Sequence, residues 1–255
     1  MFPIWGTCLG HQLLAFLSNN LTYPLTAVRG QTAVLNTIKF VTADKGTLFS
    51  DMSDKLISKV TTGQGIAYFN HHWAVSRDTY DNNKNLNGFW KLIGETTSSY
   101  NEKFVSVWEA RKYPFYGVQF HPEKAIFEWK VYSDKSYDSI EMTQIIANRF
   151  IEKARQSKNV YTSESEFEST NIYNYRTYTT TMSFTRIYVF NETKPAVQTV
   201  FNNENSFKIE NPESGKFKRI WSRDQKRSLN QEIWCKFWIY LNFFFFISLV
   251  EWSLL

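Results

Sequence analysis

Cys8 stands between two glycines, in Pro3-Ile4-Trp5-Gly6-Thr7-Cys8-Leu9-Gly10, where a short apolar run gives way to a helix-like one. Phe2–Trp5 reads as a buried strand and His11–Leu17 as the first turns of a helix, so the chain must turn within a few residues. A strand that turns so abruptly forces its corner residue into strained backbone geometry, and flanking glycines remove side-chain clashes. Open α/β sheets place their ligands at such carboxyl ends. A cysteine there also meets a helix N-terminus, whose dipole and free N–H groups favour thiolate over thiol. The backbone N–H of Leu9 is then one candidate donor to an oxyanion. The GxCxG pattern alone fits a buried structural Cys8 equally well.

Downstream, Ala33–Val41 reads as a strand and Ser50–Val60 as a helix with Met52, Leu56, Ile57 and Val60 at helical spacing. Gly63 and Gly65 break the chain, and the aromatic, β-branched stretch Ile66–Ser76 follows. Asp78–Gly88 is polar and reads as a loop. Three more strands are expected in FWKLIGET, FVSVWEA and FYGVQF. The clearest helix is Ser139–Arg155, with Ile140, Ala147, Ile151 and Ala154 on one face and Asp138 with Glu141 as a capping-box-like start. Strands and helices mixed on this scale suggest an α/β domain around a mainly parallel sheet. From about Thr193 the sequence is polar and without period, and is expected to be poorly ordered. The hydrophobic end has an uncharged core, Phe237–Val250, of 14 residues, short of the roughly 20 of a membrane-spanning helix. Membrane contact through 237–250, a buried or interfacial helix, and a tail unrelated to the fold all stay open. The organisation expected is a domain over 1–191, a polar linker over 192–232 and a hydrophobic tail over 233–255.

The net charge of +5 comes from scattered lysines and arginines with no run of five like charges, so it makes no case for a nucleic-acid partner. Cys8 and Cys235 lie at opposite ends of the chain and match neither a metal spacing nor a disulfide framework. No charged leader or cleavage site precedes Phe2-Pro3-Ile4-Trp5. Two glycosylation sequons begin at Asn20 and Asn191.

A second stretch, YGVQFHPEK, changes the weight of the first. Val118–Phe120 reads as a strand with His121 at its end, and Glu123 two residues on points the same way along an extended chain. A thiol, a base to take its proton and a carboxylate to hold that base in one tautomer make a catalytic set. Alone, His121 reads as a surface histidine before a turn proline.

GTCLGHQ followed by GVQFHPE resembles the class I glutamine amidotransferase-like superfamily. Within it, the features most similar are those of the gamma-glutamyl hydrolases. These are Trp5, LFSDMSDKLISKV, Asn70–Trp73, HPEKAIFEW (His121–Trp129) and SESEFESTNIYNY (Ser163–Tyr175), within a similarity spanning Phe2 to Asn191. The resemblance implies a flavodoxin-like three-layer α/β/α sandwich. It implies Cys8 as nucleophile, His121 as general base and then acid, and Glu123 as the orienting carboxylate. His71, next to His72, matches a family histidine that assists substrate binding or catalysis; a packed strand histidine is the competing reading. The implied substrate is a folylpoly-γ-glutamate, with no metal or organic cofactor, a homodimer as a common assembly, and a lysosomal, vacuolar or extracellular setting. The family also carries, ahead of the corner strand, the first strands of the sheet and a glycine-bearing loop with a second oxyanion donor. This sequence starts one strand before Cys8, so the sheet is expected to be incomplete at the N-terminus and the activity or stability of the chain reduced. The rivals are the glutaminase subunit of a glutamine amidotransferase, which CLGHQ and GVQFHPE fit as well, and a non-catalytic remnant or binding protein.

Overall fold

The structure is a computed structural model and describes residues 1–129, 132–179 and 186–188. The sequon at Asn191, Cys235, the expected linker over 192–232 and the expected tail over 233–255, with its 237–250 core, lie outside the described residues. Met1–Val160 pack as one compact unit, and the described residues from Tyr161 onward belong to a second. In chain order the first unit contains β1 (Ile4–Thr7), α1 (Leu9–Ser18), β2 (Thr26–Ala27), β3 (Val34–Asn36), β4 (Lys39–Phe40), α2 (Asp54–Thr61), β5 (Ala67–Phe69) and β6 (Trp73–Ala74). It continues through α3 (Arg77–Asn82), α4 (Lys84–Phe89), β7 (Trp90–Thr97), β8 (Lys103–Ala110), β9 (Phe115–Val118), α5 (Glu123–Phe127) and α6 (Tyr137–Arg155). The second unit has α7 (Glu164–Thr170), capped by Ser163, and an antiparallel pair of β10 (Thr177–Thr179) and β11 (Arg186–Tyr188).

The central sheet has the order β1-β9-β8-β7-β4. The α/β class is as expected, with one correction: among the described residues the sheet is mixed where a mainly parallel one was anticipated. Only β1 and β9 pair in parallel, with Ile4 opposite Phe115 and Thr7 opposite Val118; the other three pairings are antiparallel. Connection length decides this. A tight turn joins β7 to β8, where the Ser98 N–H donates to the Glu102 carbonyl at 2.9 Å, and an equally short link joins β8 to β9. Parallel neighbours need a crossover of a dozen or more residues, and the links from β7 to β8 and from β8 to β9 are too short to make one.

The strands feed two cores on opposite faces of the sheet, with β8 changing phase where its register with β7 shifts. Ile93, Phe104, Val107, Tyr116 and Val118 pack with Leu56 and Val60 of α2 and Met142, Ile146 and Phe150 of α6. Trp90, Leu92, Val105 and Trp108 pack with Ala15 of α1, Tyr80 of α3 and Leu86 of α4. That is the three-layer α/β/α arrangement, with helices burying their apolar faces on both sides.

Several local expectations change. Asp78–Gly88 is not a loop but α3 and α4. Ser76 Oγ accepts from Thr79 N, and Asn83 Oδ1 accepts from Asn85 N and Leu86 N, while Tyr80 and Leu86 reach the core. Two side-chain caps, worth about 1 kcal/mol each, and two buried anchors outweigh a polar composition. Ala33–Val41 divides into β3, which pairs with β5, and β4, which pairs with β7. On α6 the buried face is Ser139, Met142, Thr143, Ile146 and Phe150, whereas Ile140, Ala147, Ile151 and Ala154 are half-buried beside it. Its N-cap is Ser136, whose hydroxyl accepts from Ser139 N, in place of the expected Asp138–Glu141 box.

His11 is part of the core. Its ring lies flat on Trp108, centroids 4.2 Å apart and planes 18° apart, and Trp108 in turn stacks on Trp90 at 4.7 Å. Gly117 makes this possible, since a Cβ there would sit 2.2 Å from Trp108 Nε1 and 2.7 Å from His11 Nδ1. Burial pushes the His11 pKa down to about 3, partly offset by the Gly117 backbone and deepened by His71. The unfolded imidazole takes up a proton near its ordinary 6.5 and the folded one does not, so stability present above pH 6.5 is lost as pH falls toward 3. His11→Phe keeps a flat ring on Trp108 and removes the titration. The drop in urea midpoint between about pH 7 and pH 5 is therefore expected to be smaller in His11→Phe than in the parent; equal drops would count against this account.

Candidate active site

The parallel pairing of β1 with β9 brings the two sequence motifs to one place. Thr7 and Val118 are register partners, and the first residue beyond β1 donates its N–H to the strand opposite: Cys8 N to the Val118 carbonyl, 2.8 Å. Both strands end here, at the carboxyl edge where α/β sheets offer ligand sites. Cys8 has φ 50° and ψ −101°, left-handed backbone for a non-glycine residue, at a cost of about 1–3 kcal/mol. Gly6 is required, because a Cβ there would lie 2.6–2.8 Å from the backbone of Gly10 and His11, whereas a Cβ on Gly10 would meet nothing within 4 Å. Only one of the two flanking glycines is thus a steric necessity. Cys8 itself is buried, 8% exposed.

Cys8 is the N-cap of α1, and no side chain caps the helix. Its carbonyl takes Gln12 N at 3.0 Å, and the first-turn amides, Leu9 among them, belong to those a helix leaves without internal acceptors. Beyond β9 the backbone is held by the Gln119 N–H on the Ser106 carbonyl and the His121 N–H on the Tyr68 carbonyl, each 2.8 Å. His121 Nδ1 and Glu123 Oε1 are 2.7 Å apart, both side chains being buried. The extended chain expected for this pair is corrected too. Pro122 is helical in conformation and Glu123 opens α5, so the contact is made across a turn.

The electrostatics single out one imidazole. Burial opposes charge on His121, yet Glu123 and Cys8 outweigh it, each by charge and by hydrogen bonding, and hold its pKa up to about 10. Glu123 is kept below the ordinary carboxylate range: burial works against its charge, and the charge and hydrogen bond of His121 and the charge of Lys124 prevail. Lys124, 2% exposed, lies 3.9 Å from Glu128 and within electrostatic reach of Glu123 and Cys8; burial lowers its pKa against these partners. Ser133 and Lys135 hold the same corner by donating to the Lys124 carbonyl, Lys135 also reaching the Glu128 carbonyl at 2.8 Å.

His71 is buried, with its backbone N–H on the Gln31 carbonyl at 2.8 Å and its ring against Phe104 and Phe69. Burial first, then the charge of His121, push its pKa down to about 3. It is therefore both a packed histidine and a neighbour of the site. His72 instead gives its carbonyl to Val28 N. Sequence reasoning missed Gln12 and Gln119. Gln119 Nε2 is 3.6 Å from Cys8 Sγ, and Gln12 Nε2 is 3.4 Å from Gln119 Oε1. The signal was available: Gln12 lies one helical turn after Cys8, and Gln119 two residues before His121. His121, Tyr68, Pro122 and Thr143 border a shallow hollow too small to hold a water molecule, and Cys8 does not line it. Among the described residues no cluster of three or more His, Cys, Asp or Glu is arranged to hold a metal ion.

Comparison with known proteins points in one direction. Gamma-glutamyl hydrolase from Bos taurus is 33% identical over 198 residues, covering 74% of this chain and 60% of its own. Gamma-glutamyl hydrolase B from Dictyostelium discoideum is 29% identical over 205 residues, 79% of this chain and 59% of its own. The human gamma-glutamyl hydrolase is 31% identical over 204 residues, 74% and 60%. The matched part of this chain thus spans about 60% of the length of these relatives. A solved structure of a GMP synthase component from Thermoplasma acidophilum has a TM-score of 0.34 and 18% identity, covering 59% of this chain and 61% of that one, too little to bear on the fold. Residues 1–132, just over half of the chain, match the family described as Glutamine amidotransferase class-I, and the chain belongs to that family.

Proposed function

We propose that this chain is a cysteine hydrolase that cleaves γ-glutamyl amide bonds, with folylpoly-γ-glutamates as the substrate class. The observation that carries the reading is the buried His121, bonded to Glu123 at 2.7 Å through Nδ1 and coupled to Cys8. The raised pKa of His121 favours an imidazolium beside Cys8, a setting suited to an activated cysteine nucleophile. Similarity to proteins named gamma-glutamyl hydrolase supports the choice of bond.

The Cys8 sulfur attacks the γ-carbonyl carbon, and the oxyanion that forms takes the Leu9 N–H as one donor. As the C–N bond breaks, His121 gives its proton to the departing amine and a γ-glutamyl thioester remains on Cys8. His121, now neutral, takes a proton from water, whose oxygen displaces the sulfur and releases the γ-glutamyl product. Glu123 holds Nδ1 throughout, which leaves Nε2 for both transfers. His71, kept neutral by burial, assists as a hydrogen-bonding group toward the substrate. No helix among the described residues is long and apolar enough to cross a membrane. Asn20, exposed in the turn after α1, is available to the glycosylation that a lysosomal, vacuolar or extracellular setting brings.

Two assays test this. The chain is expected to release glutamate from γ-linked glutamate oligomers on an aryl head group and to leave free glutamine untouched, with Cys8→Ser at least about 1000-fold slower. Ammonia release from glutamine alone would favour the glutaminase reading, and unchanged hydrolysis by Cys8→Ser would remove the thiol from the mechanism. Glu123→Gln is expected to lower kcat/KM by about 100-fold or more. Because Glu123 raises the His121 pKa, its loss should also move the alkaline limb of the pH–rate profile to lower pH. A limb that stays in place would refute the role given to the carboxylate.

A further inference from the structure

We infer that Gln119 and Gln12 form an amide relay that holds the Cys8 sulfur as a thiolate, Gln119 as the residue positioned on the sulfur and Gln12 as the one that orients it. The inference rests on Cys8 being the nucleophile proposed above.

A carboxamide has one donating and one accepting end, and its neighbours decide which way it points. Gln12 Nε2 lies 2.6 Å from the Trp73 carbonyl oxygen. That oxygen can only accept, so the NH2 end of Gln12 is fixed there. The same NH2 has a second hydrogen, and Gln119 Oε1 lies 3.4 Å away to receive it. With its oxygen taken by a donor, Gln119 turns its own NH2 toward Cys8 Sγ, 3.6 Å away. The order of donation runs from Gln12 to Gln119 to sulfur, without a free choice at any step. Both amides are buried, Gln119 completely, so water does not compete for either end.

A sulfur that accepts an N–H bond is held more tightly as an anion than as a thiol, because a charged acceptor strengthens the bond. The relay therefore acts in the same direction as the imidazolium of His121. It is not a requirement of folding: a buried amide must be satisfied, but any acceptor would satisfy the Gln119 NH2. The relay also joins three parts of the chain: the first turn of α1, the end of β9, and the segment that carries both His71 and Trp73. The charged groups around the sulfur are His121 and Glu123 at the β9–α5 corner and Lys124 on α5, with the neutral His71 and His11 nearby. Neither substitution below alters them.

The test follows the thiolate itself. In a Cys235→Ser background Cys8 is the sole thiol, and its ultraviolet thiolate absorbance is recorded against pH together with its rate of alkylation by iodoacetamide. Gln119→Leu is expected to move the midpoint to higher pH by about one unit and to slow alkylation at neutral pH about tenfold. Gln12→Leu, which never touches the sulfur, should move the midpoint the same way by less. Added to Gln119→Leu, it should do nothing more. Unchanged midpoints in both single variants, with parent-like circular dichroism, or additive shifts in the double variant, would overturn the relay. Should Gln119→Leu fail to fold, Gln12→Leu decides alone: a shift supports the relay and no shift ends it. A parent chain inactive on γ-glutamyl oligomers whose midpoint still moves in these variants would sink the hydrolase reading and keep the relay.

Discussion

Four residues of parallel pairing, Ile4–Thr7 against Phe115–Val118, carry the site. Cys8 and His121 are more than a hundred residues apart in sequence, and neither lies in a strand; each follows the end of one. Their approach is set by which strands are neighbours and where both stop. The Cys8 N–H on the Val118 carbonyl extends the ladder one bond past the last strand pair, so the backbone of Cys8 is still held by the strand that leads to His121. A slip of one residue in this register would reverse the faces of the strand and carry Gln119, His121 and the buried Val118 out of place together.

Environment then separates side chains of one type. His11, His71 and His121 are all buried. The first two sit against aromatic rings, and burial pushes both down to about 3. His121 has a carboxylate at 2.7 Å and a thiol beside it, and it is pushed up to about 10. Desolvation alone disfavours the imidazolium in all three; only the specific anionic partners reverse the sign. The two neutral rings have a consequence for the third, because a charge on either would repel the imidazolium. Keeping them in apolar packing leaves the positive charge on one nitrogen pair.

Much of this is legible in the sequence. Glycine at position 6, cysteine at 8 and the histidine–carboxylate spacing of His121 and Glu123 announce a corner, a candidate nucleophile and a candidate base, since each has a chemical or steric reason local to a few residues. What stays hidden depends on tertiary partners. The antiparallel share of the sheet follows from short links between β7, β8 and β9, which composition does not mark. Helices α3 and α4 hide in a polar stretch because one cap and one buried anchor apiece suffice for each. The buried face of α6 escapes periodicity because Ile140 and Ile151 look like core, while Ser139 and Thr143 go inside by hydrogen bonding, Thr143 Oγ1 donating to the Pro122 carbonyl at 3.0 Å. Gln12 and Gln119 are in plain view within both motifs, but an amide's role lies in the order of its hydrogen bonds, which only coordinates reveal.

The strain at Cys8 fits this arrangement. A left-handed backbone at a residue with a Cβ persists only where surrounding contacts over-determine it, and here they do so from three directions. Its N–H is bound to β9, its carbonyl takes Gln12 N, and Gly6 lets the first turn of α1 lie within backbone contact of the strand. An unstrained corner would need a longer connection, and a longer connection would let the sulfur swing. The same N–H of Gln12 that binds the Cys8 carbonyl also fixes the start of the side chain whose amide meets Gln119. Backbone strain and side-chain relay are therefore two ends of one constraint: the chain gives up a relaxed turn at residue 8, and the sulfur gains a fixed direction between an imidazole and an amide.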